Sequence, residues 1–337
     1  MRPHALGYLR IAALGAPTAT LWLVVNGIFR GLGDTKTPLV WALLFTLMNA
    51  LFDPILIFPL GLGAAGAAAG TAIAQTLALY PLLRALSKKV GASGNSDVPA
   101  LFACASRQSL QDSLKKYANA GGFVLLRTLG KIAAYSICAR EASKLGAVAA
   151  AAHNVCFQLG VATTQLCESA AVAIQALLAR EAKLRVSPDR ATADAAMMRA
   201  RYVVGRGVLV GGVISTSVSG FTYLTKESVV FALTTDAAVR AAALSIMPAV
   251  LLCQALKGLA YPINGALMGN LDWSFASVTM WLAQAGCAAV LLSGPVSLSR
   301  LWASFVALFA IQCGAGALRI VSDTGPWRNF LGWPKAD

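Results

Sequence analysis

Residues 38–58 read PLVWALLFTLMNALFDPILIF, twenty-one residues with a single charge, at Asp53. A helix rises about 1.5 Å per residue, so roughly 20 apolar residues cross the hydrocarbon core of a bilayer. The stretch is long enough and apolar enough to be a membrane-spanning helix. Working outward from it, eight further runs have the same character: residues 8–29, 65–83, 121–139, 147–178, 202–224, 241–268, 273–292 and 301–318. The expected fold class is all-α integral membrane, with about nine transmembrane helices.

Composition agrees. Of 337 residues, 57% are hydrophobic and 12% charged, against about 25% charged in soluble domains. The net charge of +14 does not point to nucleic acid, because no soluble domain carries a basic face. Lys and Arg instead gather in short segments between the apolar runs. Arg30 and Lys36 follow the first run. Arg84, Lys88, Lys89, Arg107, Lys115 and Lys116 follow the third, and Arg180, Lys183, Arg185, Arg190, Arg199 and Arg201 follow the fifth. The turn at 59–64 has none. That alternation is the positive-inside pattern of cytoplasmic-side loops. Residues 1–10 lack the basic and then apolar order of a signal peptide.

Cofactor chemistry finds no support in the residues. There are seven Cys and no CxxC pair, and Cys138, Cys156, Cys167, Cys253, Cys287 and Cys313 lie inside apolar runs, where Cys acts as a small hydrophobe. The two histidines, His4 and His153, are far apart in sequence. No cofactor, catalytic residue or metal ligand is expected. An enzyme would need clustered acids or histidines at an interface, and the chain has no such cluster.

The segment Asn26-Gly27-Ile28-Phe29-Arg30-Gly31-Leu32-Gly33-Asp34 recurs as Asn264-Gly265-Ala266-Leu267-Met268-Gly269-Asn270-Leu271-Asp272, 238 residues later. The shared pattern is N-G-x3-G-x2-D, closing one apolar run ahead of the next. The first three runs then correspond to the last three, and three helices ahead of residue 8 are missing from a two-lobe, twelve-helix arrangement. Internal repeats of this kind are common in secondary transporters. The expected organisation is a partial N-lobe at 1–86, a connector at 87–120, a six-helix C-lobe at 121–320 and a polar tail at 321–337. The connector holds a flexible piece at 91–96, and residues 101–117 read as an amphipathic segment lying at the membrane interface.

Two acids fall clearly inside the spans, Asp53 and Glu168. Each costs roughly 2.5–3.5 kcal/mol at a helix centre on insertion scales. Asn49 and Asp53 are spaced i, i+4 and share a helix face. Pro54 has no N–H to donate, which leaves a carbonyl free one turn back. Two readings stay open at Asp53: a proton or sodium site, and a helix-end carboxylate beside a proline kink. Glu168 has Gln165 and Gln175 near it in sequence, and Arg127 and Lys131 form an i, i+4 basic pair that it could meet. His153 lies on an Ala-rich face and reads as a helix-packing residue. Gly66-x3-Gly70 permits close helix approach, with Thr71 as a polar contact beside it.

The stretches GAPTATLWLVVNGIFRGLGDTKTPL, NALFDPILIF and LGAAGAAAGTAIAQ, at 15–39, 49–58 and 62–75, resemble helices four to six of multidrug and toxic compound extrusion (MATE) transporters of the DinF-like branch. AAAAHNVCFQLG and NGALMGNLDWSFAS resemble the matching second-lobe segments. The resemblance implies twelve helices in two lobes and antiport of organic compounds against protons or sodium. It also implies a cation site at Tyr8, Asn49, Asp53 and Thr71. Asn264 stands where many relatives have Asp. The candidate second-lobe polar site, read from the residues, is Glu168, Arg127, Gln175 and Asn264. The implied partners are a small organic substrate and the lipid bilayer, with no nucleic acid, in a monomer of the plastid envelope or plasma membrane. The alternatives are a non-transporting membrane remnant or partner, and a lipid-linked precursor flippase of the same superfamily.

Overall fold

The computed structural model describes residues 2–90 and 107–331. The piece at 91–96, residues 101–106 of the expected interfacial segment and the tail beyond 331 lie outside the described residues. All regular structure within them is helical: α1 (Arg2–Gly31), α2 (Lys36–Ile57), α3 (Gly63–Val90), α4 (Arg107–Lys144), α5 (Ala147–Leu184), α6 (Arg190–Leu224), α7 (Lys226–Leu233), α8 (Ala237–Gly269), α9 (Trp273–Leu292), α10 (Leu298–Val321) and a 3-10 turn at Gly325–Trp327. Among the described residues, nine of these helices are long and apolar enough to cross a membrane, one for each expected span.

The helices outrun the expected spans. α4 begins at Arg107, so residues 107–117 are its first turns and not a separate interfacial segment. No proline interrupts the chain between Arg107 and Lys144, so helical hydrogen bonding continues through the polar turns. α6 starts twelve residues before the apolar run at 202, because Asp189 caps it by accepting from Ala191 N (3.3 Å) and Thr192 N (3.1 Å). α7 was not anticipated. It follows α6 across Thr225, whose N–H bonds to Phe221 O.

The chain forms two compact units, residues 1–112 and 113–337. In the first, α3 packs against both α1 and α2, which barely meet each other. Small residues allow this. An added Cβ at Gly15 would lie 2.9 Å from Ala72 Cβ, and one at Gly66 would lie 2.7 Å from Leu56 O. Trp22, Val25, Phe29, Leu79, Leu82 and Leu86 fill the core.

In the second unit, α8 is the hub, packed against α5, α6 and α10. Glycines again set the spacing. Gly265 faces Ala171 Cα at 2.8 Å from its Cβ position, Gly269 faces Gln175 Cα at 2.8 Å, and Gly258 faces Gly211 O at 2.6 Å. Ordinary van der Waals contact needs more room, so a side chain at any of these would force the backbones apart. α4 is held by α9, where Ser277 Oγ donates to Phe123 O (2.6 Å) and Trp281 Nε1 donates to Leu126 O (3.0 Å). The cysteines of the spans are free, and all but Cys313 are buried.

The sequence repeat is a structural one. In α1–α2–α3 the third helix holds the other two, and α10 does the same for α8 and α9. The two turns share a hydrogen-bond pattern. Leu32 N, Gly33 N and Asp34 N donate to Ile28 O, Arg30 O and Phe29 O; Asn270 N, Leu271 N and Asp272 N donate to Ala266 O, Met268 O and Leu267 O. The penultimate residue is left-handed in both, Gly33 at φ 78° and Leu271 at φ 63°. Leucine there costs about 1–2 kcal/mol, which the surrounding bonds must offset.

Each turn ends in an aspartate that clasps the far end of its triplet. Asp34 accepts from Lys36 N (3.1 Å), Thr37 N (3.0 Å) and Thr37 Oγ1 (2.8 Å), and pairs with Lys89 near the end of α3. Asp272 accepts from Arg319 Nε (2.7 Å) near the end of α10 and from Trp327 Nε1 (3.1 Å). Lys89, and then Thr37, hold the Asp34 carboxyl well below the usual carboxylate range. A carboxyl lowered in the folded state contributes stability above its unfolded value, near 3.8, and that contribution fades as pH falls through the folded value. The destabilisation caused by Asp34→Asn is therefore expected to stay constant from about pH 8 to about pH 5 and to shrink below about pH 4. Thermal unfolding of both proteins at stepped pH checks this. A difference that instead shrinks around neutral pH would contradict the clasp.

Candidate functional site

On α2, Asn49 sits one turn before Asp53, and Pro54 follows. Asn49 Nδ2 donates both to Asp53 Oδ1 (3.0 Å) and to Thr71 Oγ1 of α3 (3.1 Å). Gly70 makes the arrangement possible. A Cβ there would run into the Asp53 carboxylate and would lie 3.3 Å from Asp53 N. Asp53 and Asn49 are half-buried and Thr71 is exposed. Among the described residues no cation pairs with Asp53.

The trio presents oxygen donors of three kinds: a carboxylate, an amide carbonyl and a hydroxyl. The Ala50 carbonyl, one turn before Pro54, lacks its helical partner because proline has no N–H. Hard monovalent cations and protons favour oxygen sites of this kind. Tyr8, assigned to the same site by the resemblance, is not brought to it. It is exposed and makes no hydrogen bond among the described residues. The neighbouring Gly7 packs on α3, its Cβ position 3.6 Å from Ala65 Cβ.

The second unit holds a different set. Arg127 of α4 and Asn264 of α8 line one small cavity together with Thr279 and Gln312. Arg127 Nε is buried and has no hydrogen-bond partner among the described residues. Lys131 Nζ lies over the rings of Tyr261 (5.5 Å) and Tyr135 (5.9 Å). Glu168 does not form the expected ion pair with either base. It is exposed, and no ion pair within 4 Å includes it among the described residues. It acts on Arg127 and Lys131 only as a more distant charge. The Gln175 side chain is exposed and its backbone serves as the seat for Gly269, so it stays outside this polar set. His153 is buried against Phe157 (5.8 Å between ring centroids), Trp302 (5.8 Å) and Phe305 (6.2 Å), as a packing residue would be.

Lys257 escaped the sequence reading. It lies on α8 at only 9% exposure, with Nζ donating to Gly160 O at a long 3.4 Å and resting over the Phe309 ring (5.2 Å). Gln254, one turn earlier, accepts from Thr163 Oγ1 of α5. The signal was present: Gln254, Lys257, Tyr261 and Asn264 are spaced 3, 4 and 3 apart, a polar stripe on one face of an otherwise apolar helix.

Comparison with known proteins agrees with this architecture. The MatE family model matches residues 1–55. Protein DETOXIFICATION 44, chloroplastic, of Arabidopsis thaliana is 29% identical over 337 residues, covering 99% of this chain and 60% of that protein. Protein DETOXIFICATION 42 of the same plant is 30% identical over 339 residues, covering 98% and 60%. The chain thus spans about 60% of the length of these curated relatives. Among solved structures, the Vibrio cholerae MATE transporter VcmN superposes with a TM-score of 0.79 at 14% identity, covering 95% of this chain and 70% of that one. MATE in complex with MaL6 superposes at 0.74 and 18% identity, covering 94% and 70%. Nine apolar helices among the described residues, a triplet that recurs around the same turn and these likenesses converge: the chain is a multi-pass membrane protein whose fold is that of the MATE transporters it resembles.

Proposed function

We propose that the chain works in secondary active antiport, exporting small organic compounds across a membrane against an inward flow of protons or sodium. The observation that carries this reading is the Asn49–Asp53–Thr71 constellation. An acid inside a span is costly, and this one is held by an amide and a hydroxyl instead of being neutralised by a base. Taking up a proton or sodium would remove its charge and weaken the bond from Asn49. That changes the grip of α2 on α3, which is the kind of differential contact alternating access requires. The names of the relatives support the reading, MepA of Staphylococcus aureus being a multidrug export protein that is 35% identical over 71 residues. DETOXIFICATION 44 and 45 are named chloroplastic, so the plastid envelope is the membrane we assign. The chain acts as a monomer in this scheme.

The test uses the full chain in liposomes with an entrapped pH dye and an imposed pH or sodium gradient. A panel of organic cations and anions is supplied on the substrate side. The expected result is ion movement coupled to at least one compound and abolished when an ionophore collapses the gradient. Compound flux that is indifferent to both gradients would overturn the antiport reading.

A further inference from the structure

The apolar run of α6 has an aromatic ring and a cation at each end. At one end Arg206 Cζ lies over the Tyr202 ring, 5.3 Å from its centroid. At the other, Lys226 Nζ of α7 lies over the Tyr223 ring at 4.5 Å. Tyr202 and Tyr223 are separated by a rise of about 31 Å at 1.5 Å per residue, close to the thickness of a hydrocarbon core. Tyrosine gathers at both membrane interfaces, so the two rings mark where α6 enters and leaves lipid. Between them Leu209, Val210 and Val213 are exposed.

Arg206 shares that face, since residues 206, 209, 210 and 213 have helical spacing, and it is exposed too. Helical side chains point back toward the N-terminus, and this guanidinium does so, reaching the ring one turn earlier. That posture carries a long cationic side chain from a span toward the headgroups. Among the described residues Arg206 has no ion pair and no hydrogen bond. Its neighbours are engaged within the protein: Arg199 with Glu181, Arg201 with the Asn329 and Phe330 carbonyls, and Arg185 with Asn270. The two ends of α6 also differ in charge. Residues 180–206 hold seven basic residues and three acids, whereas residues 221–240 hold two of each. Only the Arg206 end draws anions.

We propose that the Tyr202–Arg206 face of α6 is a binding site for an anionic phospholipid of the leaflet nearest the α5–α6 turn. The planar fork of Arg206 matches two phosphate oxygens. The free Tyr202 hydroxyl sits at headgroup depth beside it, and Leu209, Val210 and Val213 form the strip along which an acyl chain lies. A zwitterionic lipid brings a cation of its own, which the local positive excess repels. The inference goes beyond the antiport reading and does not depend on it.

The test is native mass spectrometry of the full chain released from nanodiscs of equal phosphatidylcholine and phosphatidylglycerol. Phosphatidylglycerol is expected to be retained over phosphatidylcholine. Arg206→Gln should weaken that retention roughly fivefold, the factor that one cation near a membrane surface contributes. Arg206→Lys, which keeps the charge, should hold most of the lipid and guards against a Gln variant that merely unfolds. Lys226→Gln removes a cation from the opposite end of the same span and should change nothing. Glycerol 3-phosphate, which has the phosphate without the chains, should not displace the lipid. Displacement by it would assign the face to a soluble anion and overturn the proposal. Equal retention by the wild type and Arg206→Gln overturns it as well. So does an equal loss in Lys226→Gln, because the lipid would then be responding to net charge alone. None of these readouts involves flux, so their failure is distinguishable from failure of the antiport reading.

Discussion

Replacing Asp53 by Asn is expected to reduce gradient-driven flux to the level of protein-free liposomes while changing stability by less than about 1 kcal/mol. The two outcomes separate because the substitution removes a charge and almost nothing else. The Asn carbonyl can still accept from Asn49 Nδ2, as Asp53 Oδ1 does at 3.0 Å. The side-chain volume that Gly70 accommodates is nearly unchanged. No ion pair is lost, since none forms at Asp53 among the described residues. A helix-end carboxylate with no coupling role would give retained flux, and that result would sink the assignment. Proton or sodium flux through the variant, read beside its thermal unfolding in nanodiscs, decides between them.

The largest effect on stability is expected at Asp272. Its side chain is 4% exposed and receives Arg319 and Trp327 Nε1. Asp272→Ala would strand both donors, and removing one partner of a buried pair costs about 3–5 kcal/mol. The consequence spreads along a local chain of bonds. Asn270 accepts from Arg185 and donates to Pro326 O at 2.9 Å, and Arg201 donates to the Asn329 and Phe330 carbonyls. The 3-10 turn, whose Trp327 is buried together with Phe330, should detach and become open to protease. The equivalent change in the first triplet, Asp34→Ala, breaks a solvent-screened pair whose lysine is 46% exposed and the bonds from Lys36 N, Thr37 N and Thr37 Oγ1, and is expected to cost less because water can replace each partner. A similar loss of thermal stability in both variants would refute the distinction between the two clasps.

How far the sequence could be read depended on what each signal measures. Hydropathy reports burial in lipid, so the nine apolar runs were plain. It is blind to polar turns that continue a helix into water, so α4 and α6 ran farther than expected and α7 went unseen. The repeat was legible because Asp34 and Asp272 need the same turn chemistry. At the candidate site, the spacing of Asn49 and Asp53 placed both on one face. Gly66-x3-Gly70 marked Thr71 beside it as a polar contact, and the likeness to a family joined it to Asn49 and Asp53. Tyr8 makes no hydrogen bond among the described residues, and a linear spacing does not report how far α1 is shifted along α3, where Gly7 and Gly15 pack on Ala65 and Ala72. Glu168 failed for a related reason: helix rotation decides whether an acid meets a base, and a linear spacing cannot report it. Lys257 was hidden inside an apolar run that looked complete without it.

The two triplets share a turn but not a charge. Moved by the 238-residue offset of the repeat, Asn49 falls on Cys287 and Asp53 on Leu291. Both replacements are buried, Cys287 beside Cys138 at 3.9 Å and Leu291 at 0% exposure. The copy has exchanged an amide–carboxylate pair for packing. Within the described residues the repeat therefore offers one carboxylate-bearing face, and a change of charge at Asp53 has no counterpart at the equivalent positions of the copy to offset it.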